Sequence, residues 1–491
     1  MDNIEIFSPE ILLCVFAAAV VLLDLVIDRK GILAVVSVIG LGLFIAGGVS
    51  LWETDDKTLF NGIFVADKFA IFFKVMIASA AILVILASRD YVNKISRFQG
   101  EFYALILFAT LGLCLMAATR DLLAIYVSLE LASLSLYALV GFLKNSKSGE
   151  ASLKYLLLGG VSSATLLFGM ALIFGVTGHT QLEGIGDAVG GMASVADNSA
   201  LVLGLVMMIA GFGFKIASVP FQMWVPDVYE GAPTPITAFL SVASKAAGFA
   251  VILRVFIEAF GSASISEEWT IVFAVLAIIS MTIGNVVALS QTNIKRMLGY
   301  SSIAQAGYLM VGLAAFVPLL SQGDSTSGFG PTGILFFLAG YTLTNLGAFI
   351  AIIAITQKTN SDLIADFAGM GRRAPVIALA LTLCLISLTG LPPAVGMWGK
   401  AYLFNTAVQN DLLWLVVIGV INSVISAYYY FRVVKVMWFS EPTSEEEVPS
   451  GWSLRLALLL ASVGVIVLFV APNLLLGVTE DAMDGFMSLW P

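Results

Sequence analysis

The chain carries little charge and has very few histidines and cysteines. Of its 491 residues, 12% are charged and 59% are hydrophobic, whereas a soluble domain is usually about 25% charged. It has one histidine, His179, and three cysteines, Cys14, Cys114 and Cys384, none of them in CxxC spacing. We therefore expect no disulfide framework, zinc or other metal site, iron–sulfur cluster or haem, and no cofactor in this chain.

The chain has instead apolar runs from end to end. Runs of about 20 residues are long enough to cross roughly 30 Å of hydrocarbon, and mostly short loops join them. The sequence therefore predicts an all-α integral membrane protein, a single membrane domain over residues 1–491, with 14 transmembrane helices. The predicted cores are 10–28, 31–51, 65–87, 101–118, 121–142, 151–175, 198–230, 234–260, 269–289, 297–319, 330–356, 374–409, 411–439 and 453–476.

The start of the chain, its longest loop and its net charge add three expectations. The start of the chain is acidic rather than basic, which argues against a cleavable signal peptide. The longest loop, from Thr177 to Ala200, is too short for a soluble domain. The net charge of −9 comes mainly from loops, and we expect no nucleic-acid partner.

Basic residues in the loops predict the orientation, because cytoplasmic loops are enriched in lysine and arginine. With the N-terminus outside, only Lys57 and Arg120 fall in outer loops. The inner loops hold Arg29, Lys30, Arg89, Lys94, Arg97, Lys144, Lys147, Lys295, Arg296, Lys358, Arg372, Arg373, Arg432 and Lys435. We expect an even number of spans and both termini outside.

Eight further basic residues lie inside or at the edges of the predicted spans, where a charge costs at least about 2.5–3.5 kcal/mol. Lys68 and Arg455 lie near span ends, and we expect them to snorkel to water. Arg254 precedes Glu258 by four residues and is expected to pair with it. The sequence offers no partner for Lys74. The other four are Lys154, Lys215, Lys245 and Lys400.

Neither snorkelling to water nor pairing within one helix explains two charges in the middle of predicted spans. Lys245 is about 11 residues into its span, roughly 16 Å from either face, and Ser244 belongs to the small, polar stripe around it. Glu130 is also mid-span, and Ser133 lies on the same helical face. Further polar stripes include Ser301, Ser302, Gln305 and Tyr308, then Tyr341, Thr344 and Asn345. For the hydroxyl and amide residues alone, interhelical hydrogen bonds remain an alternative explanation.

Two predicted spans, 198–230 and 374–409, are too long for one simple helix, and both contain prolines. Because proline removes a backbone donor and clashes with the preceding turn, we expect helix breaks near Pro220 and near Pro392 and Pro393. Such breaks are tolerated in a membrane only where protein or a water-filled cavity satisfies the freed backbone groups. The segments PFQMW and PAVGMW that begin at Pro220 and Pro393 are alike, which suggests an internal repeat.

One lysine accompanies each expected break, Lys215 before the first and Lys400 after the second. Burial disfavours the charged form of a lysine, and a nearby carboxylate such as Glu130 favours it. A small movement or a change in hydration can therefore switch the proton on or off. We interpret Glu130, Lys215, Lys245 and Lys400 as a candidate relay that carries protons across the bilayer.

At these residues the chain resembles a known family. The segment FKIASVPFQMWVPDVYEGAPTP from Phe214 to Pro235 is similar to the signature of the antiporter-like membrane subunits of respiratory complex I, NADH–quinone oxidoreductase. KRMLGYSSIAQAGY from Lys295 to Tyr308 and LTGLPP from Leu388 to Pro393 are further matches. The form DVYEGAP resembles the bacterial subunit N branch, which is related to mitochondrial subunit 2.

The resemblance implies an architecture and a setting. Two inverted five-helix repeats, helices 4–8 over 101–260 and helices 9–13 over 269–439, would follow a three-helix segment over 1–100 and precede a C-terminal helix over 453–476. Helices 7 and 12 would be discontinuous. The chain would lie in the bacterial inner membrane, with both termini periplasmic, beside other membrane subunits that include further antiporter-like ones.

The resemblance also implies roles for the buried charges. Glu130, Lys215, Lys245 and Lys400 would carry protons, driven by redox chemistry elsewhere in the complex. Glu150 and Lys154 match auxiliary charged positions. The predicted auxiliary set is Glu150, Lys154, Gln222, Ser244 and Tyr308.

One residue departs from the family pattern, and two other functions stay open. Many members have histidine where this chain has Gln222, and glutamine cannot titrate, so a proton step at that position is in doubt. A subunit of a multi-subunit sodium/proton antiporter is one alternative, although such subunits usually read LPDAH in the first motif. A structural subunit that only anchors its partners is the other.

Overall fold

The computed structural model describes residues 4–27, 30–54, 57–92, 98–192, 198–261, 263–321, 330–442, 446–448 and 450–488, without the side chains of 263–268, 317–321 and 488. Within these residues the chain is almost entirely helical, apart from a small antiparallel hairpin of β1 (Lys57–Leu59) and β2 (Phe64–Ala66). Of the basic residues used for the orientation, Arg29, Lys94 and Arg97 lie outside the described residues.

The helices follow the apolar runs of the sequence. They are α1 (Ser8–Val26), α2 (Gly31–Val49), α3 (Lys68–Val92), α4 (Gln99–Ala117), α5 (Leu122–Val140), α6 (Ser146–Thr177), α7 (Leu182–Gly190), α8 (Ser199–Ile216), α9 (Trp224–Gly231), α10 (Thr234–Phe239), α11 (Lys245–Arg254), α12 (Ala263–Ala288), α13 (Ile294–Ser321), α14 (Gly330–Thr359), α15 (Met370–Arg373), α16 (Pro375–Thr389), α17 (Gly396–Gln409), α18 (Leu413–Phe439), α19 (Trp452–Val470) and α20 (Asn473–Ser488). Two π-helical turns, Leu240–Ser244 and Val255–Ala259, flank α11.

Twelve helical segments of the described chain are long and apolar enough to cross a membrane by length and composition. One of them is the continuous segment Thr234–Ala259, whose most apolar window is completely buried. The predicted spans 297–319 and 374–409 correspond to α13 and to the pair α16 and α17, which are not among the twelve. The all-α membrane fold is therefore established, whereas the count of 14 spans stays a prediction.

Two regions differ from the sequence-based boundaries. The expected loop from Thr177 to Ala200 contains α7, whose buried Leu182, Ile185 and Val189 form one apolar face against the π-turn at Val255–Ala259. This helix is short and glycine-rich, so its periodicity is weak in the sequence. The predicted last span, 453–476, is in fact divided, since α19 ends at Val470 and α20 begins after Pro472.

The chain leaves helical geometry around the prolines that the sequence singled out. Helix α8 ends at Ile216 and α9 begins at Trp224, with Pro220 between them. The freed backbone groups find partners, because the Trp224 indole donates to the Phe214 carbonyl at 3.0 Å and the Val219 amide donates to Ser280 Oγ at 2.9 Å. Protein groups thus replace the missing helical hydrogen bonds inside the apolar region.

A similar gap separates α16 from α17. Helix α16 ends at Thr389, Gly390 follows in the left-handed conformation with φ of 91°, and α17 begins at Gly396. Pro392 and Pro393 lie between them, and the Gly396 amide donates to Ser387 Oγ at 3.1 Å. The gap leaves carbonyl groups near the end of α16 free for other donors.

A buried chain of alternating charges joins four parts of the fold. Arg254 donates to both carboxylate oxygens of Asp67 at 2.7 and 2.8 Å and to Glu258 at 3.1 Å. Glu258 also accepts from Arg120 at 2.6 Å. The expected pairing of Arg254 with Glu258 is confirmed, but Arg254 is fully buried rather than at a solvated helix end. Each charge has an opposite neighbour, as burial requires.

A second buried ion pair supplies the partner that the sequence did not reveal for Lys74. Its ammonium group lies 2.5 Å from Glu10 Oε1, and both side chains are at most 2% exposed. The pair links α1 to α3, and the Phe64 ring lies 4.7 Å from the ammonium nitrogen. The ammonium of Lys68, by contrast, lies over the Trp52 ring at 5.9 Å at the start of α3.

This ion pair gives a prediction for stability. Lys74→Met leaves the Glu10 carboxylate uncompensated in an apolar interior, and we expect the unfolding free energy to fall by about 3–5 kcal/mol. The double variant Glu10→Gln/Lys74→Met removes both charges and should recover most of that loss. Thermal unfolding of the detergent-solubilised protein measures both effects. A double variant no more stable than Lys74→Met would contradict the assignment.

Candidate functional site

The three lysines of the predicted relay are all buried in the helical bundle. Lys215 lies in the last turn of α8, Lys245 at the first position of α11, and Lys400 in the second turn of α17, and they are 8%, 2% and 5% exposed. None of the three forms an ion pair with a carboxylate among the described residues. This distinguishes them from Arg254 and Lys74, whose carboxylate partners lie in direct contact.

Glu130 and Lys215 lie near each other but contact different serines. Glu130, partly buried on α5, accepts a hydrogen bond from Ser163 at 2.5 Å. Lys215 donates to Ser133 Oγ at 2.5 Å, and Ser133 lies one turn after Glu130 on α5. The structure thus brings the predicted acid and lysine to the same face of α5, with a serine hydroxyl beside the ammonium group.

Lys245 contacts α13. Its ammonium group donates to the Ser302 carbonyl oxygen and, at 2.7 Å, to Ser302 Oγ. Two tyrosine hydroxyls share that serine, since Tyr341 donates to Ser302 Oγ at 3.2 Å and the Tyr229 hydroxyl lies 3.3 Å from it. The π-turn Leu240–Ser244 ends at the residue before this lysine. Ser302 is therefore the junction of one ammonium group and two phenols.

Lys400 uses the gap between α16 and α17. It donates to the Thr389 carbonyl oxygen and to Ser423 Oγ, both at 2.9 Å. The Tyr308 ring lies 4.1 Å from the ammonium nitrogen, and Ser423 donates to the Tyr308 hydroxyl at 3.3 Å. The interruption of α16 thus supplies one of the acceptors of this lysine.

A small cavity, with a few polar side chains in a mostly apolar wall, lies between the surroundings of Lys245 and those of Lys400. Its volume is about 10 Å³, close to the volume that one water molecule requires. Its walls include Gln305, Tyr341, Thr344, Ser387 and Leu388. Gln305 donates to the Leu388 carbonyl oxygen at 2.9 Å, next to the Thr389 carbonyl that Lys400 contacts. Polar groups therefore extend from Ser302 through this cavity to the end of α16.

The helices that carry Lys215 and Lys245 pack closely against each other. Gly248, one turn after Lys245, is packed so tightly that an added Cβ atom would lie 2.8 Å from Ile216 and 3.7 Å from the Lys215 Cβ atom. Among the described residues, no chain of hydrogen bonds joins the two ammonium groups. Transfer between them requires water or a movement of the side chains.

The structure places the predicted auxiliary residues in different surroundings, and only some of them lie beside a relay residue. Tyr308 adjoins Lys400, whereas the Ser244 hydroxyl donates to the Leu240 carbonyl of its own helix at 2.7 Å. Gln222 lies in the gap before α9, and its side-chain oxygen is buried without a hydrogen-bond partner among the described residues. Glu150 and Lys154 are paired at 2.8 Å but lie at the surface.

The surface pair belongs to a larger ion network on the predicted inner side. Lys154 also contacts Asp227 at 2.7 Å, and Asp227 accepts from Arg296 at 2.5 Å. Arg296 further contacts Glu230 at 3.2 Å. This network ties α6, α9 and α13 together at the surface, rather than in line with the buried lysines.

Comparison with known proteins identifies the family of the chain. A family model described as NADH:quinone oxidoreductase/Mrp antiporter, TM, matches residues 119–426, which hold all four residues of the candidate relay. The chain belongs to this family. Family membership accounts for the similarity of the three sequence motifs, since each lies inside the matched region.

Relatives and solved structures match this chain over nearly its whole length. A protein of Dehalococcoides mccartyi named NADH-quinone oxidoreductase subunit N is 47% identical over 98% of this chain and 99% of its own. NAD(P)H-quinone oxidoreductase subunit 2 of Synechocystis is 42% identical over 96% of this chain and 90% of its own. A chain of respiratory complex I from Thermus thermophilus is 32% identical, with a TM-score of 0.79, over 96% of this chain and 98% of that one.

One structural likeness concerns the fold alone. A chain of the Mrp complex from Dietzia superposes with a TM-score of 0.83 at 20% identity, over 98% of this chain and 97% of that one. The helical architecture is thus shared with a chain of a different complex. The specific chemistry of this member has to be argued from its own side chains.

Several site residues were not found by reasoning from the sequence. Ser163 and Ser423 each contact a relay residue, yet neither stands out in its apolar helix. Ser302 and Tyr341 belonged to polar stripes, but only the fold brings them to Lys245. Among the described residues no group of three or more histidine, cysteine or carboxylate side chains could hold a metal, and the absence of a cofactor stays a prediction.

The position of Lys400 gives a prediction about Gly390. An added Cβ atom would lie 2.8 Å from the Lys400 Cδ atom, at a positive φ that favours glycine. We expect Gly390→Ala to lower the unfolding free energy by about 1–3 kcal/mol, measured by thermal unfolding. Gly477→Ala is the control, because nothing lies within 4 Å of its added Cβ atom. Equal stability of the two variants would exclude a constrained Lys400 side chain.

Proposed function

We propose that the chain is a proton-translocating membrane subunit of a respiratory NADH–quinone oxidoreductase, in which protons move along Glu130, Lys215, Lys245 and Lys400. The chain supplies no redox centre, and oxidation of NADH by quinone elsewhere in the complex drives the movement. Its partners are the other membrane subunits, including further antiporter-like ones. The names of relatives that are 41–47% identical support this assignment.

The observation that carries the proposal is that Lys215, Lys245 and Lys400 are buried without a carboxylate partner among the residues that the structure describes. A permanently charged group buried without an opposite charge costs several kcal/mol, and hydroxyl or carbonyl acceptors offset only part of that cost. A lysine that can release its proton avoids the cost in its neutral state. The contacts of Lys215, Lys245 and Lys400 with hydroxyl oxygens therefore suit groups that exchange protons better than groups that only hold helices together.

The arrangement also suggests how one step drives the next. Protonation of Lys215 would be favoured by the nearby Glu130 and would repel a proton from the following lysine. Hydroxyl oxygens then lie on the way to Lys400. They belong to Ser302 and Tyr341, and to Thr344 and Ser387 in the wall of the small cavity. Each charge that moves against 100 mV requires about 2.3 kcal/mol, which the redox reaction has to provide.

The finer architecture belongs to the same proposal. Fourteen spans would be obtained if α13 and the pair α16 and α17 each cross the membrane in addition to the twelve apolar helical segments. The interruptions after α8 and α16 would then be the discontinuous helices 7 and 12. They would lie in inverted repeats over 101–260 and 269–439, with both termini periplasmic in a bacterial inner membrane.

The two other functions make different predictions. A sodium/proton antiporter subunit would co-purify with other antiporter subunits and not with flavin and iron–sulfur proteins. A purely structural subunit would tolerate loss of the buried lysines. The likeness to the Mrp complex supports only the shared fold, because the identity is 20%.

The first functional prediction concerns the central lysine. Lys245→Ala in the assembled complex should lower NADH-driven proton pumping and NADH–quinone turnover together, by at least about ten-fold if it acts as a general acid and base. Lys215→Ala and Glu130→Ala should act in the same direction. Pumping into sealed vesicles is measured with a pH-sensitive dye, and turnover by NADH absorbance.

Lys68→Ala is the matched control, because that side chain lies at a span edge. It should leave both rates close to those of the natural protein. If Lys245→Ala assembles normally and still pumps at the natural rate, the structural alternative is the better account.

The second functional prediction concerns Ser302. Ser302→Ala removes the hydroxyl that joins Lys245 to Tyr341 but leaves the Ser302 carbonyl acceptor in place. We expect a several-fold loss of pumping with normal assembly, since a hydrogen bond to a charged group is worth about 1.5–3 kcal/mol.

Ser135→Ala is the control for this change. Ser135 is also buried in a helix, but its hydroxyl donates to the Leu131 carbonyl of its own helix at 2.9 Å and to no other described residue. Both variants lose one hydroxyl, and only one should lose pumping. Equal rates for the two variants would remove Ser302 from the proposed route.

A further inference from the structure

An open apolar groove lies between α16 and α19, away from the buried lysines. It has a volume of about 660 Å³, within the usual range of ligand sites. Its walls are aliphatic side chains of the two helices, among them Leu379, Leu383, Leu459 and Val463. Leu379, Leu459 and Val463 are exposed large hydrophobic residues. In a membrane this groove opens toward lipid.

Arg455 lies at one end of the groove and lines it. The side chain is exposed, and its Nε atom donates to Ser450 Oγ at 2.9 Å. No carboxylate forms an ion pair with Arg455 within the described ranges. The two terminal nitrogens therefore remain available to an anion, and arginine binds phosphate oxygens in a two-pronged geometry.

The length of the groove along α19 matches the thickness of one leaflet of the hydrocarbon core. From Arg455 to Ile466, which also lines it, is eleven helical steps, or about 16 Å. Half of a typical hydrocarbon core is about 15 Å. The arginine lies on the predicted inner side, where Arg372 and Arg373 also precede α16. A headgroup on Arg455 would thus place an acyl chain along the full length of the groove.

We propose that this groove binds a phospholipid of the inner leaflet, with its phosphate on Arg455 and one acyl chain between α16 and α19. Basic pockets between transmembrane helices on the cytoplasmic side are known to receive anionic headgroups. The charge at the mouth and the apolar walls below it together match that chemistry. The site is independent of the proton route, since none of the relay residues lines it.

Photo-crosslinking tests the site in the assembled complex. The complex is reconstituted into phosphatidylcholine vesicles with a trace of phosphatidylglycerol that carries a diazirine in one acyl chain. After illumination, mass spectrometry of the peptides should find adducts on α16 and α19. Arg455→Gln should lower their yield by about ten-fold, since a hydrogen bond to a charged group changes affinity by that order.

Two pairs of variants separate the site from general lipid contact. Ser462→Phe fills the middle of the groove and should lower the yield, whereas Ala164→Phe on the exposed face of α6 should not. Arg372→Gln removes an exposed cation nearby and should leave the yield unchanged. A diacylglycerol probe with the same diazirine chain lacks the phosphate and should label the groove about ten-fold less.

The proposal is overturned by any of three results. One is equal labelling by the phospholipid and the diacylglycerol probe. Another is an unchanged yield with Arg455→Gln. The third is the absence of adducts on α16 and α19 while other exposed helices of the same chain are labelled, which would show that no phospholipid occupies the groove.

Discussion

Every charge buried at membrane depth in this fold has to be compensated, and the structure does so in two ways. Arg254 and Lys74 are fixed by carboxylates in direct contact, in the chain that joins Asp67 and Glu258 and in the pair with Glu10. Lys215, Lys245 and Lys400 have hydroxyl or carbonyl oxygens instead. If Arg254 or Lys74 lost its proton, an unpaired carboxylate would remain beside it. If Lys215, Lys245 or Lys400 lost its proton, its neighbours would be neutral oxygens. This difference separates charges that hold helices together from charges suited to proton exchange.

The helix interruptions serve the second group directly. The gap after α16 leaves the Thr389 carbonyl free for Lys400, and Gly390 gives that side chain its space. The gap after α8 begins two residues beyond Lys215. A continuous helix would use its own amides to satisfy these carbonyls. The break at Pro392 and Pro393 therefore affects the contacts of Lys400 as well as the path of the backbone.

The sequence predicted the apolar helices, the breaks, the three buried lysines and the partly buried Glu130 because these depend on local composition and spacing. It did not predict the contacts of Ser163 and Ser423 or the pairing of Glu10 with Lys74, which join residues far apart in the chain. The resemblance to the family implied auxiliary roles for Glu150 and Lys154, which the fold puts in a surface network with Asp227. Which face of a helix meets which neighbour is set by tertiary packing, and one amphipathic pattern fits several packings.

The weakest connection in the proposed route is the approach of Lys215 to Lys245, where the described side chains do not form a hydrogen-bonded path. A structure of the assembled complex at a resolution that shows ordered water tests this point most directly. The account predicts waters that join the Lys215 and Lys245 ammonium groups, and a water in the cavity beside Gln305 and Ser387. Apolar side chains that fill both places in every state of the complex, with no water between the lysines, would contradict proton transfer along this route.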